Sequence, residues 1–245
     1  MGEGSVIIDC QLSIPEALSF MRLVLYLAIL YAFLLPAGEP SAQLRGPPEA
    51  FTIARLKYDG GGDWYNGPTE IPNLLAFIGS ATSIRTADDE TRVEVMDENL
   101  FAYPVLYLTG HGNIRFSGEE VQRLRIYLEH GGFLFANDDY GLDQAFRREM
   151  ARVFPDKAFV ELPPATGIFQ SPFKFPQGLP KIHAHDGKRP QAFGLFHDGR
   201  LVVFYCYESD IGDGWDDPEV HNDPPEKRDA ALRMGTNVIV WALTH

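Results

Sequence analysis

The sequence has little cysteine, few basic residues and no block of five or more like charges. Cysteine occurs at Cys10 and Cys206 among the 245 residues; Cys10 lies in an N-terminal segment that we expect to be removed, and Cys206 alone cannot form an internal disulfide. Lysine and arginine number 21 against 34 aspartates and glutamates, for a formal net charge of -13. Such an acidic chain repels nucleic acid phosphates and anionic membranes, so we expect neither as a natural partner.

Several catalytic and nucleotide-binding signatures are also missing. The glycine stretch at 60–62 lacks the Lys-Ser/Thr pair of a phosphate-binding loop and the spacing of a dinucleotide fingerprint. The absence of a Gly-x-Ser-x-Gly motif disfavours a serine hydrolase built on that elbow. The apolar content of 45% is nevertheless enough for a hydrophobic core, so the chain is not a disordered protein.

The N-terminus has the pattern of a secretory signal. Arg22 precedes an apolar run of 13 residues at 23–35, which is short for a bilayer span of about 20 residues and is followed by proline and small residues. We predict that translation starts at Met21, so that residues 1–20 come from a start site assigned too early. Residues 21–42 are then a signal peptide cleaved after Ala42, and 43–50 are a linker. The mature protein would be exported to the periplasm or the extracellular space, and would touch the membrane only transiently through the signal.

From residue 51 onward, strand-like and helix-like periodicities alternate. Strands are predicted over 51–58, 92–95, 103–109 and 133–136, with helices over 71–81, between Ser117 and Gly131, and over 143–153. Ser117 and Glu120 form a capping box that begins the second helix. Because the central strands are apolar on both faces, this order predicts one α/β domain over 51–245 with a mostly parallel sheet covered by helices on both sides.

Late in the chain the pattern changes. The strand-like runs 191–197 and 200–208 flank Asp198-Gly199, which suits a type I′ turn, so we predict an antiparallel hairpin. Cys206 lies within this hairpin and is interpreted as a packed core residue. A final helix is predicted over about 227–243. The proline-rich stretch 155–190 is expected to be mostly loop.

Three loops that follow predicted strands carry polar or aromatic side chains. They are Gly60–Tyr65, Thr109–Gly112 and Asn137–Gly141. Since ligands bind beyond the carboxyl ends of the strands in an open parallel sheet, we expect these loops to meet at one edge and form a ligand crevice. The candidate ligand-binding residues in them are Asp63, Trp64, His111, Asn137, Asp138 and Asp139.

Each of these residues also has a structural interpretation. The glycines can serve only a tight turn, with Asp63 and Trp64 capping and covering the adjacent helix. His111 between glycines can simply be exposed. Asp138 or Asp139 can cap the helix that follows, since aspartate is a preferred N-cap. For any one residue alone the structural role is favoured, and only the convergence of the three loops argues for a crevice.

Two later segments carry residue types that bind metals. His183 and His185 would share a face if their segment were a strand, and imidazole pairs suit zinc, although the surrounding prolines and lysines favour a solvated loop. The acidic loop carries four aspartates whose oxygens suit calcium, at a spacing unlike an EF-hand: Asp210, Asp213, Asp216 and Asp217. Trp215 in the same loop is expected either to stack on a sugar ring or to pack on the domain.

Taken together, the motifs resemble one bacterial family. The stretches that carry the resemblance are "GGGDWY", "PNLLAFI", "YLTGHGNIRFSGEE", "GGFLFANDDYG", "GRLVVFYCYESDIGDGW" and "MGTNVIVWALT". They resemble the bacterial domain of unknown function 4159 family over nearly all of residues 51–244. The resemblance implies a flavodoxin-like, class I glutamine-amidotransferase-like fold. It implies no reaction, because the activity of the family is not established.

The resemblance also identifies the end of the strand at 133–136 with the nucleophile elbow of glutamine amidotransferases. Asn137 and Asp138 stand at the elbow, and Tyr140 stands where many family members have cysteine. Thr166-Gly167 stands where His-Pro is expected. Neither aspartate nor tyrosine replaces a thiolate in attack on a glutamine amide, so thiol catalysis lacks its nucleophile.

Three functions remain open, and the sequence does not decide whether the protein is an enzyme. The first is an exported, non-catalytic ligand-binding or interaction domain, which the missing cysteine suggests. The second is a metal-dependent hydrolase that uses Asp138, Asp139 and His111, with His183 or His185 as further ligands. The third is a cell-envelope scaffold. The partner is thus an unidentified small molecule or envelope protein, and no cofactor is assigned.

Overall fold

The computed structural model describes residues 50–245, which form one unit by their internal contacts. Residues 1–49 lie outside the described residues. They include the segment 1–20 before the predicted start, the predicted signal peptide and most of the predicted linker. Within the described part of the chain, none of the helices has both the length and the apolar character needed to cross a membrane.

Seven strands form one sheet. They are β1 (Ala54–Lys57), β2 (Thr91–Glu94), β3 (Val105–Leu108), β4 (Phe133–Asn137), β5 (Val160–Glu161), β6 (Gln191–His197) and β7 (Arg200–Tyr207). Their order across the sheet is β2-β1-β3-β4-β7-β6-β5. The first five strands in this order pair in parallel, whereas β6 is antiparallel to both of its neighbours. The predicted α/β architecture, with a mostly parallel sheet and a late antiparallel part, is confirmed.

Helices cover both faces of the sheet. They are α1 (Glu70–Ala81), α2 (Gly118–Glu129), α3 (Asp143–Val153), the single turn α4 (Pro218–His221) and α5 (Pro225–Thr244). Alternate residues of β4 belong to two different cores: Leu134 packs in the core that includes α2 and α3, and Phe135 packs in the core that includes α1 and α5. Burial on both faces is why the central strands have no polar alternation.

Local sequence signals account for several element ends. The capping box of Ser117 and Glu120 is present at the start of α2, as predicted. Asp198 and Gly199 both have positive φ, 48° and 82°, which a type I′ turn between β6 and β7 requires. Cys206 is fully buried, as expected.

Among the strands and α-helices of the described residues, β5 and α4 have no counterpart in the sequence prediction. β5 has only two residues, both exposed, so it leaves no periodic pattern in its proline-rich surroundings. α4 is one turn that begins at Pro218, and its residues are not buried. Each element is short and contributes little apolar surface to the core, so neither leaves a hydrophobic pattern in the sequence.

Candidate functional site

The three predicted loops lie side by side beyond the carboxyl ends of β1, β3 and β4. Gly62 N–H donates a hydrogen bond to the Asn113 carbonyl at 2.9 Å, which joins the glycine loop to the loop after β3. His111 and Tyr140 form a parallel bridge between the loops after β3 and β4. A Cβ at Gly62 would lie 2.7 Å from the His111 carbonyl oxygen, so only glycine permits this approach. The loops therefore converge at one edge of the sheet, as expected.

Asp63 and His111 form a partly exposed pair at this edge. Asp63 Oδ2 lies 3.0 Å from His111 Nδ1, and Asp63 Oδ1 accepts a hydrogen bond from the His111 backbone N–H. Burial opposes ionisation of Asp63, but the hydrogen bonds from His111 outweigh it and lower the pKa of this carboxyl. His111 Nδ1 also lies 3.3 Å from Asp139 Oδ2. The imidazole thus connects Asp63 to the loop after β4.

Asp139, Asp210 and Asp213 form a buried carboxylate group at the end of β4 and β7. One oxygen of each lies within 4.8 Å of the others. Burial, followed by repulsion from Asp210 and Asp213, raises the pKa of Asp139. Oδ1 of Asp139 and Oδ1 of Asp213 have no hydrogen-bond partner among residues 50–245. Within the same residues, no lysine or arginine forms an ion pair with any of the three.

Asp210 is held in place by two imidazoles. Its Oδ2 lies 3.0 Å from His183 Nδ1 and 3.0 Å from His185 Nε2. Burial opposes its ionisation, but these hydrogen bonds lower the pKa of Asp210. The backbone of Asp210 has φ 59°, a left-handed conformation that is uncommon outside glycine and that tends to persist at functional sites.

His183 connects the carboxylate group to a further aspartate. Its Nδ1 lies 3.0 Å from Asp210 Oδ2 and 3.1 Å from Asp213 Oδ2, while its Nε2 lies 3.0 Å from Asp223 Oδ2. Hydrogen bonds to Asp210 and Asp213 raise the pKa of His183 to about 10. Residues 181–187 do not form a strand, so His183 and His185 reach the same Asp210 oxygen from a loop.

A second buried group adjoins the first through Asp213. Oxygens of Glu70, Asp213 and Asp216 lie within 4.8 Å of one another, and so do ligand atoms of His183, Asp213 and His221. His221 Nε2 lies 3.2 Å from Asp216 Oδ2. Burial raises the pKa of Glu70 well above its ordinary value; Arg55 opposes this shift, and Asp216 adds to it.

Side chains at the start of α1 hold the acidic loop that contains Asp213, Asp216 and Asp217. Thr69 Oγ1 donates to Asp216 Oδ1 at 2.6 Å and accepts from the Asp217 N–H at 3.1 Å. Asn73 Nδ2 donates to the Trp215 carbonyl and to Asp217 Oδ1, both at 2.9 Å. The 3-10 helix Asp213–Trp215 is therefore fixed against the start of α1, which brings Asp213 beside Glu70.

The remaining candidates occupy structural positions near the site. Asn137 Nδ2 donates to Thr109 Oγ1 at 3.3 Å, and its Oδ1 accepts from the Ile211 N–H at 3.1 Å, so the amide joins three strand ends. Asp138 Oδ1 accepts from the Leu142 N–H at 2.8 Å and so holds the loop before α3, but Leu142 is the N-cap of that helix and no side chain caps it, so Asp138 is not its N-cap. Burial raises the pKa of Asp138 to about 6.

The two tryptophan candidates pack against the hydrophobic cores. Trp64 is partly buried against the core that includes α2 and α3, with the Arg92 guanidinium 6.0 Å from its ring centre. Trp215 is fully buried, and its Nε1–H donates to the Ala231 carbonyl at 2.9 Å. No face of Trp215 is exposed to stack on a sugar, so it packs on the domain.

Three members of the site were not identified from the sequence: Glu70, His221 and Asp223. An acidic residue in the first turn of a helix is ordinarily explained by the helix dipole, so Glu70 gave no signal. It is fully buried beside Arg55. His221 is the last residue of the single-turn α4 and Asp223 follows it, and only the tertiary fold brings them to Asp213 and His183.

A cavity of about 300 Å³ opens beside the carboxylate groups. Asp138 and His185 line it on the site's side, and Tyr140, Lys188 and Glu208 line it further away. His185 also contacts Asp210, so the cavity is one residue away from the carboxylates. It is large enough for a small molecule at the edge of the sheet where a ligand is expected.

Comparison with known proteins adds the family. A search of curated proteins found no match. A family model described as "Domain of unknown function (DUF4159)" matches residues 52–243, which is most of the chain and nearly all of the described part. The matched region contains every residue of the two carboxylate groups. The chain belongs to this domain of unknown function family, DUF4159.

Proposed function

We propose that the protein is a metal-dependent hydrolase whose cation is bound by Asp139, Asp210, Asp213 and His183. The observation that carries this proposal is the buried group of three carboxylates, two of them with an unpartnered oxygen, that contact imidazoles but no lysine or arginine in the described chain. An uncompensated buried charge is costly, so such groups ordinarily coordinate a metal or stay protonated. A divalent cation would offset the repulsion that raises the pKa of Asp139.

The ligand types favour zinc or manganese. Carboxylates combined with an imidazole suit these ions, whereas calcium prefers about six to eight oxygens. A metal-binding histidine commonly donates its other N–H to a carboxylate. Asp223 lies 3.0 Å from His183 Nε2, so it can accept that hydrogen bond and leave Nδ1 for the cation.

Hydrolysis needs a proton acceptor beside the activated water. A bound cation supplies Lewis acidity and lowers the pKa of water. Asp63 holds His111 through Nδ1, which leaves Nε2 to accept a proton from the attacking water and return it to the leaving group. His111 is half exposed, so substrate and solvent can reach it. The adjoining cavity of about 300 Å³ is the proposed substrate pocket.

Metal content and metal-dependent turnover test this proposal. The protein is purified without chelator, analysed for bound metals, and assayed on ester, amide and phosphoester substrates with and without chelator. We expect bound zinc or manganese, turnover that the chelator abolishes, and a loss of about 100-fold or more in Asp213→Asn, because even residues that only support a ligand cost about 10- to 100-fold. The matched control is Asp229→Asn, since Asp229 is an exposed aspartate paired with Arg233.

The outcomes separate the candidate functions. No metal in the purified protein and no binding of added zinc or manganese would overturn the metal site. Metal binding without hydrolysis of any substrate class would favour the second candidate, a non-catalytic ligand-binding domain on a glutamine-amidotransferase-like scaffold. That alternative is supported by the end of β4, where Asn137 and Asp138 stand in place of a nucleophile and both make structural hydrogen bonds.

We also propose that the protein is exported. The support is the segment of residues 21–42, with a basic residue, an apolar run and small residues in the order of a signal peptide. A fusion of residues 21–50 to a reporter that is active only outside the cytoplasm tests this. Reporter activity that persists after Leu27 and Leu30 are both changed to arginine would count against export through this segment.

A further inference from the structure

Buried carboxylates face one another between the start of α1 and the 3-10 helix Asp213–Trp215. We infer that they hold a second divalent cation, bound by Glu70, Asp216 and His221, with Asp213 bridging it to the first cation. The inference rests on the proposed metal site, which it extends from one cation to two. It is argued from an unpartnered buried oxygen, from the close approach of the acidic loop at Gly212, and from the number and charge of the ligands.

Glu70 provides the unpartnered oxygen. Its side chain is fully buried, and its Oε2 lies 3.5 Å from an Arg55 guanidinium nitrogen. Its Oε1 has no hydrogen-bond partner in residues 50–245, although Asp213 and Asp216 have oxygens within 4.8 Å of a Glu70 oxygen. A carboxylate oxygen left without a donor in a protein interior is costly, so a missing partner is expected there.

Gly212 lets the acidic loop approach Glu70 closely. Its φ of -60° is ordinary for any residue, so the backbone does not require glycine. A Cβ at this position would lie 2.8 Å from Glu70 Oε1 and 2.5 Å from the Tyr107 hydroxyl. Any other side chain would therefore collide with these polar atoms, and glycine allows the loop that carries Asp213 and Asp216 to pack against the buried oxygen of Glu70.

The number of candidate ligands exceeds what one ion takes. Three overlapping ligand groups together offer seven side chains: Glu70, Asp139, His183, Asp210, Asp213, Asp216 and His221. Zinc, manganese and magnesium take about four to six ligands and usually keep water among them. Asp213 belongs to every one of the three ligand groups, as a bridging carboxylate between two ions would.

The charges also match two divalent cations. Asp139, Asp210, Asp213 and Asp216 lack a lysine or arginine partner within the described residues. Metal ligands bind in their deprotonated forms, so in a metal-bound site these four carboxylates carry four negative charges and the imidazoles are neutral. Arg55 is shared between Glu70 and Glu90, the latter at 2.8 Å. One divalent cation would leave half of the four charges uncompensated, whereas two would balance them.

Metal stoichiometry tests the inference. The full chain is stripped with chelator, dialysed to equilibrium against Mn²⁺ and, separately, Zn²⁺, and its metal content is measured per chain. We expect two ions in the wild type and one in Glu70→Gln or Asp216→Asn. The matched control is Glu90→Gln, because Glu90 is also buried against Arg55 but belongs to none of the ligand groups; it should keep two ions.

Each result bears on the inference separately from the proposed function. One ion in the wild type would overturn the second cation and leave the first site standing, while no ion at all would overturn both. Two ions retained in both Glu70→Gln and Asp216→Asn would overturn the assignment of these ligands. Circular dichroism verifies the fold of each variant, and Asp216→Asn decides if Glu70→Gln does not fold.

Discussion

At the residue scale, His183 is the group whose protonation distinguishes the metal-free protein from the metal-bound one. Asp210 and Asp213 raise its pKa in the folded protein from 6.5 to about 10. Because this pKa is raised on folding, the protonated imidazole stabilises the folded protein. The stabilisation is complete at a pH below the pKa of the unfolded state, and it is lost as the pH rises through the pKa of the folded state. The same proton must leave before His183 can bind a cation through Nδ1.

We therefore expect the stability of the metal-free protein to fall as the pH rises. In the presence of chelator, the free energy of unfolding from urea denaturation should decrease between about pH 6.5 and pH 10, and His183→Gln should flatten this dependence. His130→Gln, which changes an exposed histidine at the end of α2, should leave it unchanged. With saturating Zn²⁺ the decrease should disappear, since the bound cation replaces the proton. Identical slopes in wild type and His183→Gln would contradict this account.

At the element scale, the position of Asp213 depends on how tightly α5 packs against Trp215. Gly235 in α5 faces that ring: a Cβ there would lie 2.7 Å from Trp215 Cζ2 and 2.8 Å from Leu74 Cδ1. Trp215 is fully buried and its Nε1–H is bonded to Ala231, so the ring has no space into which it can move. The 3-10 helix that carries Asp213 would have to shift instead.

Gly235→Ala should therefore destabilise the protein even though it improves helix propensity. Alanine gains about 1 kcal/mol over glycine inside a helix, but overpacking a core costs about 1–3 kcal/mol. We expect a net loss of about 1 kcal/mol in the free energy of unfolding, measured by urea denaturation, together with weaker Mn²⁺ binding. Gly118→Ala in α2 is the matched control, because a Cβ there would meet no atom within 4 Å. A stabilised Gly235→Ala with unchanged metal affinity would refute the proposed coupling.

At the scale of the whole molecule, local patterns predict the elements better than they predict the site. The bounds of α3, the capping box at Ser117 and the turn at Asp198-Gly199 follow from short-range signals, and the convergence of the three loops follows from their places after parallel strands. Glu70 could not be found in this way, because its burial depends on Arg55 and Asp216, which are distant in sequence.

The dependence on residues distant in sequence also explains why the surroundings of Trp215, His183 and His185 could not be predicted. Trp215 lies in an acidic stretch that suggests exposure, yet the core that includes α1 and α5 buries it completely. His183 and His185 lie in a loop, as their prolines and lysines suggest, but the loop folds back so that both imidazoles reach Asp210. Composition reports how polar a segment is, and it does not report which distant residue the segment meets.

The wide spacing of the ligands along the chain has a consequence for the order of folding events. The ligands proposed for the first cation extend from Asp139 to Asp213 and those proposed for the second from Glu70 to His221, and each set meets only beside a completed sheet. A cation that needs such a set cannot bind early, so it stabilises the native state without stabilising the transition state.

Refolding and unfolding should thus respond differently to metal. We expect Mn²⁺ at about 100 times its dissociation constant to slow unfolding by about 100-fold for each ion bound, which corresponds to about 2.7 kcal/mol per ion, and to leave the refolding rate unchanged. Stopped-flow fluorescence in urea measures both rates, and Asp213→Asn should unfold at the same rate with and without the ion. Faster refolding in Mn²⁺ would mean instead that part of the site assembles before the sheet is complete.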